Sequence, residues 1–159
     1  MNGRLFCLAL PLLVGSELAG QANSKKPQPT PVVSGRYYTG GSAKLTVTGA
    51  FQIDSDVPIN VKASFGDGTM TWIQFGVSGA AEPNVLLTYG DQGVGIIVGL
   101  GKNTATAEPT NEDTTCTGET KVTPTSVTGQ YNCPGVVSYN PGTGKMGKIN
   151  ITVEFTATS

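Results

Sequence analysis

The chain has 159 residues with 10 basic and 11 acidic side chains, a formal net charge of −1, only 13% charged residues and no histidine. Near-neutrality excludes the basic stripe that nucleic acid or an anionic membrane surface requires. The absence of histidine removes the commonest general base and most zinc sites. A charged fraction about half the usual one, together with 22 glycines and abundant threonine, points instead to strands and turns.

The chain opens with Arg4 followed by the apolar run "LFCLALPLLV", residues 5–14, which has the length of a signal-peptide core. It is too short for a permanent membrane span, and Pro11 interrupts it. "LAG", residues 18–20, is the approach to a bacterial lipobox, but Gln21 stands where a cysteine would take the lipid, and glutamine is no nucleophile. Cys7, early in the apolar run, does not replace it. Cleavage after Ala22 is expected, with Gly20 and Ala22 as the small residues before the cut. Residues 1–22 are therefore read as a signal peptide, with an uncleaved or otherwise processed signal as the alternative. Residues 23–34, "NSKKPQPTPVVS", are read as an extended tether because three alternating prolines and two lysines cannot bury a core. Thr30 within it is a possible acceptor of O-linked sugar.

Residues 35–159 are expected to form one β-domain. "AKLTVTGAF" (43–51) alternates, placing Leu45 and Val47 on one face and Lys44, Thr46 and Thr48 on the other. "VPINVKASF" (57–65) is read as a strand with Ile59, Val61, Ala63 and Phe65 on one face, turning at "FGDGT" into "TMTWIQFGV" (69–77). In that second strand Thr71, Ile73, Phe75 and Val77 share one face, and Met70, Trp72 and Gln74 the other. "NVLLTYG" (84–90) and "GVGIIVGLG" (93–101) should pair across "GDQG", the latter being apolar enough to be covered on both faces. Residues 102–115 are read as a polar surface loop or weak edge strand. "ETKVTPTSVTGQYNC" (119–133) should hold one or two strands bent near Pro124, and "KINITVEFTA" (148–157) a final strand with Ile149, Ile151, Val153 and Phe155 on one face. No helical stripe occurs outside the signal. The class is all-β: an antiparallel sandwich or small barrel of seven to nine short strands.

Loss of the signal leaves Cys116 and Cys133, an even pair in an exported chain, which reads as a disulfide. Closing such a loop stabilises by about 3 kcal/mol. Asp54 and Asp56 are read as sharing a turn, and Asp67 and Asp91 as standing at hairpin tips. Turn aspartates bond local backbone, and they supply too few oxygens for calcium and no cleft for glycoside hydrolysis. The glycines of "GVGIIVGLG" lie in a β-rich run rather than before a helix, so they do not make a phosphate loop. No metal, cofactor or catalytic set is expected. Of the aromatic side chains Trp72, Tyr37, Tyr38, Tyr89, Tyr131 and Tyr139, Trp72 is the best candidate to face a ligand, with Met70 beside it on the same face. Asn150 opens the sequon Asn150, Ile151, Thr152, but its place in a patterned strand argues against glycosylation.

The "LAG" ending, the Thr/Pro tether, the size of the β-domain and the closing "SVTGQYNCPGVVSYNPGTGKMGKINITVEFTATS" (126–159) resemble the small exported lipoproteins of mycobacteria and related actinobacteria, in particular the 19-kDa lipoprotein antigen family. The resemblance implies an envelope protein acting as an adhesin or antigen. Gln21 in place of the acylated cysteine departs from that pattern, as does a cysteine pair at Cys116 and Cys133 rather than a cysteine near the terminal strand. The expected function is thus a non-enzymatic exported β-domain, secreted or associated with the envelope, that meets a protein or glycan partner at the cell surface. The alternative is a small-molecule or lipid carrier with a cavity between sheets near Trp72.

Overall fold

The computed structural model describes residues 35–66, 70–91, 93–109 and 116–159. The signal peptide with Cys7, Gln21 and Ala22, the tether with Thr30, the hairpin residue Asp67 and most of the acidic stretch before Cys116 lie outside the described residues.

Among the described residues eleven strands follow in order: β1 (Arg36–Tyr37), β2 (Gly40–Gly49), β3 (Ile53–Pro58), β4 (Phe65–Gly66), β5 (Met70–Phe75), β6 (Pro83–Gly90), β7 (Gly93–Leu100), β8 (Asn103–Ala107), β9 (Thr117–Val122), β10 (Ser126–Asn140) and β11 (Lys145–Thr158). They make one curled antiparallel sheet in the order β1, β4, β5, β6, β7, β8, β10, β11, β2, β3, with β9 paired to β10. The count exceeds the expected seven to nine because β1 and β4 are two-residue pieces that no sequence window resolves.

Period-two alternation sets which face is inside. In β11, Ile149, Ile151, Val153, Phe155 and Ala157 are all at most 3% exposed, whereas the residues between them face out. Ala43, Leu45 and Val47 of β2 pair in register with Phe155, Val153 and Ile151, so two apolar rows share one interior. Ile73, Phe75, Val85, Leu87, Ile96 and Val98 line the same interior from β5, β6 and β7. Removing each such side chain from water contributes about 1.5–3 kcal/mol, which is what holds a chain this rich in glycine and threonine together.

Two ends of the sheet approach one another. Ile59, just past β3, bridges Phe75 of β5. Asn60 N donates to Gln74 O at 2.7 Å and Gly76 N to Pro58 O at 2.8 Å. On the far side the Arg36 guanidinium donates to the carbonyls of Thr123, at 2.8 Å, and Pro124, joining β1 to the turn between β9 and β10.

The disulfide is formed between Cys116, which precedes β9, and Cys133 of β10, with Cα atoms 4.0 Å apart. It ties β9 to the penultimate strand at the point where Asn132 pairs with Thr117. Beyond Cys133 the ladder between β10 and β11 shifts register. Pro134 lacks an N–H, Gly135 takes φ 71°, and the Gly135 N–H donates to Asn150 Oδ1 at 2.9 Å instead.

Several local expectations are corrected. Residues 57–65 are not one strand: Asn60 Oδ1 accepts from Lys62 N at 3.2 Å and starts one 3-10 turn, Val61–Ala63. Val61 and Phe65 consequently stand exposed rather than inside. Val77 lies past the end of β5, which Gly76 terminates at φ 71°, and is exposed. Strand β7 is covered on one face only, since Ile97 points out between the buried Ile96 and Val98. Residues 103–107 are no edge but β8, between β7 and β10, with the small Ala105 and Ala107 inside and threonines outside. Asp54 and Asp56 occupy the outer face of β3, opposite Thr46 and Lys44, and do not share a turn.

Candidate functional site

Thr71, Ile73 and Phe75 of β5 are buried, so the pleat sends Met70, Trp72 and Gln74 to the outer face, where all three are half-buried. Opposite Trp72 on one side is Phe65 of β4, whose own partner is Tyr37 of β1. On the other side Trp72 faces Thr88 of β6, which faces Gly95 of β7. Directly opposed residues share a face, and the result is an outer row of Tyr37, Phe65, Trp72, Thr88 and Gly95 that begins with three aromatic rings. The Phe65 and Trp72 rings lie 5.0 Å apart and 33° from parallel, a tilted, offset stack of one ring against the other. Tyr37 is 69% exposed and Phe65 39%.

The row stays low beyond Trp72. The Thr88 hydroxyl leans over Gly95 and donates to its carbonyl at 3.5 Å, and a methyl group on Gly95 would meet that oxygen at 2.6 Å. Gly95 is thus the only residue type that fits without displacing Thr88. The next row outward, Gln74, Leu86, Ile97 and Thr106, is likewise uncharged. Met70 sits two residues from Trp72 on the same face, as the alternation implied.

The inner face beneath carries polar groups of a different kind. Tyr38 Oη and Tyr89 Oη are 3.0 Å apart and both rings are buried. Burial, reinforced by the bonded Tyr38, pushes the Tyr89 phenol well above the ordinary tyrosine value, with Thr71 and Arg36 opposing. Burial also raises Tyr131, and the Thr120 hydroxyl 2.8 Å away partly offsets it. Such phenols stay protonated and act as hydrogen-bonding struts.

On the opposite flank the outer surface is polar. Glu119, Gln130, Glu154, Lys44 and Asp56 line up across β9, β10, β11, β2 and β3. A shallow cleft of about 300 Å³ lies along Glu119, Lys121, Thr128, Gln130, Glu154 and Thr156. A second, of about 390 Å³, is lined by Thr117, Gln130, Asn132 and Thr152 among others. Asp91 is exposed in the turn after β6, and Tyr139 is exposed on β10.

The structure therefore brings Trp72 together with Phe65 and Tyr37 on the outside and separates all three from the buried Tyr38, Tyr89 and Tyr131. The alternation around Trp72 identified its face. Phe65 was missed as its partner because cross-strand register is not written in a single sequence. Among the described residues no three His, Cys, Asp or Glu side chains are grouped to hold a metal ion, and no helix is long and apolar enough to cross a membrane. Comparison with protein-family models, with curated proteins and with solved structures finds no match to this chain.

Proposed function

We propose that this chain is a non-enzymatic, exported β-domain of the cell envelope or its surroundings that works as an interaction module, meeting a partner through its outer surface. The observation that carries this reading is the placement of Trp72: it stands outside, in register with Phe65 and Tyr37, over an inner face packed with isoleucine, valine, leucine and phenylalanine. Solvent-facing aromatic side chains in a row lie in the path of a partner, whereas a carrier would aim them into a cavity. The disulfide agrees with an oxidising compartment, in line with the signal-like residues 1–22. The buried tyrosines are held neutral and hydrogen-bonded, which suits a scaffold rather than acid–base chemistry.

In the same reading the sheet is a closed up-and-down barrel of β2, β3, β5, β6, β7, β8, β10 and β11. The bridge from Ile59 to Phe75 is the support for closure. A closed sheet leaves its ring strands no free edge to aggregate and holds a surface row rigidly.

Fractionation of the native host followed by intact-mass measurement tests the reading. The expected outcome is a chain beginning at Asn23, found in the envelope or medium, oxidised at Cys116 and Cys133 and free of acyl mass. A full-length cytosolic chain with reduced thiols contradicts it.

A further inference from the structure

We infer that residues 26–31 of this chain, "KPQPTP", lie in cis as a polyproline II segment across the outer aromatic row, seated between the Tyr37 ring and the stack of Phe65 on Trp72. The inference goes beyond the reading of the domain as an interaction module: the row has an occupant built into the chain, and a partner using the same rings must displace it.

The site comes first. Phe65 rests on Trp72 with ring centroids 5.0 Å apart, so these two rings present one joint surface. Leaning that way takes the Phe65 ring from the side of Tyr37, which is 69% exposed and makes no ring contact among the described residues. A slot is left between Tyr37 and the stack. Among the described residues Tyr37 Oη and Trp72 Nε1 make no hydrogen bond either, so each keeps a donor for an occupant's carbonyl oxygen. An aromatic-lined slot with such donors is the kind of surface on which polyproline II peptides dock.

The occupant comes second. Pro27, Pro29 and Pro31 each fix φ at about −65° and restrict the residue before them to extended or polyproline II backbone. Residues 26–31 therefore need little ordering to take that form. Its carbonyls have no internal partner, and three pyrrolidine rings give it apolar faces to set against aromatic ones. Residues 27–31 carry no charge, and neither do the rings they meet.

Reach selects this segment over an outside one. The described chain begins at Gly35, whose N–H donates to Gly66 O at 2.8 Å, two residues from Tyr37 and beside Phe65. Gly35 takes φ 71°, a left-handed conformation that glycine adopts readily, so the chain turns there. Tyr37 and Trp72 are two strand spacings apart, about 10 Å, and residues 27–31 in polyproline II form cover about 12 Å. From Pro31 to Gly35 the chain can extend about 13 Å, well over the roughly 7 Å that separates Gly35 from the level of Tyr37 along the strand. Beyond Trp72 the low surface over Thr88 and Gly95 lets Lys26 run out to solvent. So short a connection holds the segment at an effective concentration in the millimolar range, which favours it over a free ligand at lower concentration.

Trp72 is the one tryptophan in the chain, so its emission reports the site directly. Pro27→Ala, Pro29→Ala and Pro31→Ala together lie outside the β-domain, and circular dichroism should be unchanged. In that triple variant the Trp72 emission maximum should move to longer wavelength and acrylamide quenching should rise. A synthetic peptide of residues 23–34 added to the variant should reverse both changes saturably, and Tyr37→Ala in the same background should weaken the peptide about tenfold, the usual effect of truncating an interface aromatic.

Identical emission and quenching in the unaltered chain and the triple variant overturn the inference, and so does a peptide that has no effect at millimolar concentration or is indifferent to Tyr37→Ala. Emission of the unaltered chain that depends on protein concentration places residues 26–31 on a neighbouring copy and overturns the packing in cis. Fractionation of the host tests export separately, and either result can fail without the other.

Discussion

The outer surfaces of two groups of strands differ sharply although they cover the same interior. Strands β1, β4, β5, β6 and β7 show water Tyr37, Phe65, Trp72, Leu86 and Ile97, none of them charged. Strands β9, β10, β11, β2 and β3 show it Glu119, Gln130, Glu154, Lys44 and Asp56. Inside, both contribute the same rows of aliphatic and aromatic side chains. A sheet buried on one face constrains only every second residue. The other set is free to be chosen for what it meets, and the aromatic set is an expensive choice in water unless something covers it.

Truncating the shared interior should cost most wherever it is done. Phe155→Ala, at a ring packed 6.3 Å from Phe75, should destabilise by about 3–5 kcal/mol, seen as a large drop in the urea midpoint. An equal result at Ile73→Ala and Ile151→Ala, within the scatter of aliphatic truncations, would show that both groups of strands draw on one core. Two separate unfolding transitions would break that picture.

The covalent tie comes next. Cys116→Ser together with Cys133→Ser should lower stability by about 3 kcal/mol, measured by the same denaturation, because β9 lies off the main strand path and pairs with β10 alone. The loss should fall on the polar side of the molecule, with faster amide exchange in β9 and little change in β5 and β6.

Alkali should reveal the buried tyrosines. Tyr89 titrates higher folded than its ordinary 10.0, so above that pH the unfolded chain releases a proton that the folded one keeps. Stability is then full below about pH 10 and falls as the pH rises beyond it. Tyr131, raised in the same sense, adds to the fall. Tyr89→Phe should flatten the decline, and an unchanged slope would place the phenol in water.

The smallest effects sharpen the contrast most. Tyr37→Ala and Gln130→Ala, one on each outer surface, should each shift stability by no more than about 0.5 kcal/mol. If Tyr37→Ala instead costs as much as a core truncation, its ring is structural and the difference between the two surfaces loses its functional meaning.

How far this was legible in the sequence depends on the element. β11 could be read to its inner residues, because Ile149, Ile151, Val153 and Phe155 alternate without interruption and nothing local competes. The pairing of Cys116 with Cys133 followed from their being the two cysteines left once residues 1–22 are read as a signal. The stretch 57–65 misled because its alternation is real, yet Asn60 caps a 3-10 turn and Ser64 Oγ accepts from Gln74 N at 3.0 Å, which together break the strand. β8 was legible only as a loop or weak edge strand because alanine buries too little area to stand out against threonine. The side of β5 on which Trp72 lies was written in its neighbours, but Phe65 and Tyr37 come from other strands, and only the register of the folded sheet aligns them.

The most direct test of the account is acrylamide quenching of Trp72 emission in the native protein. An indole on the outer face, half-covered by Phe65, should be quenched to an intermediate degree, and Phe65→Ala should raise the quenching constant towards that of the unfolded chain. A Trp72 that acrylamide does not reach, and that is indifferent to Phe65→Ala, would put the indole inside and contradict the placement of the row.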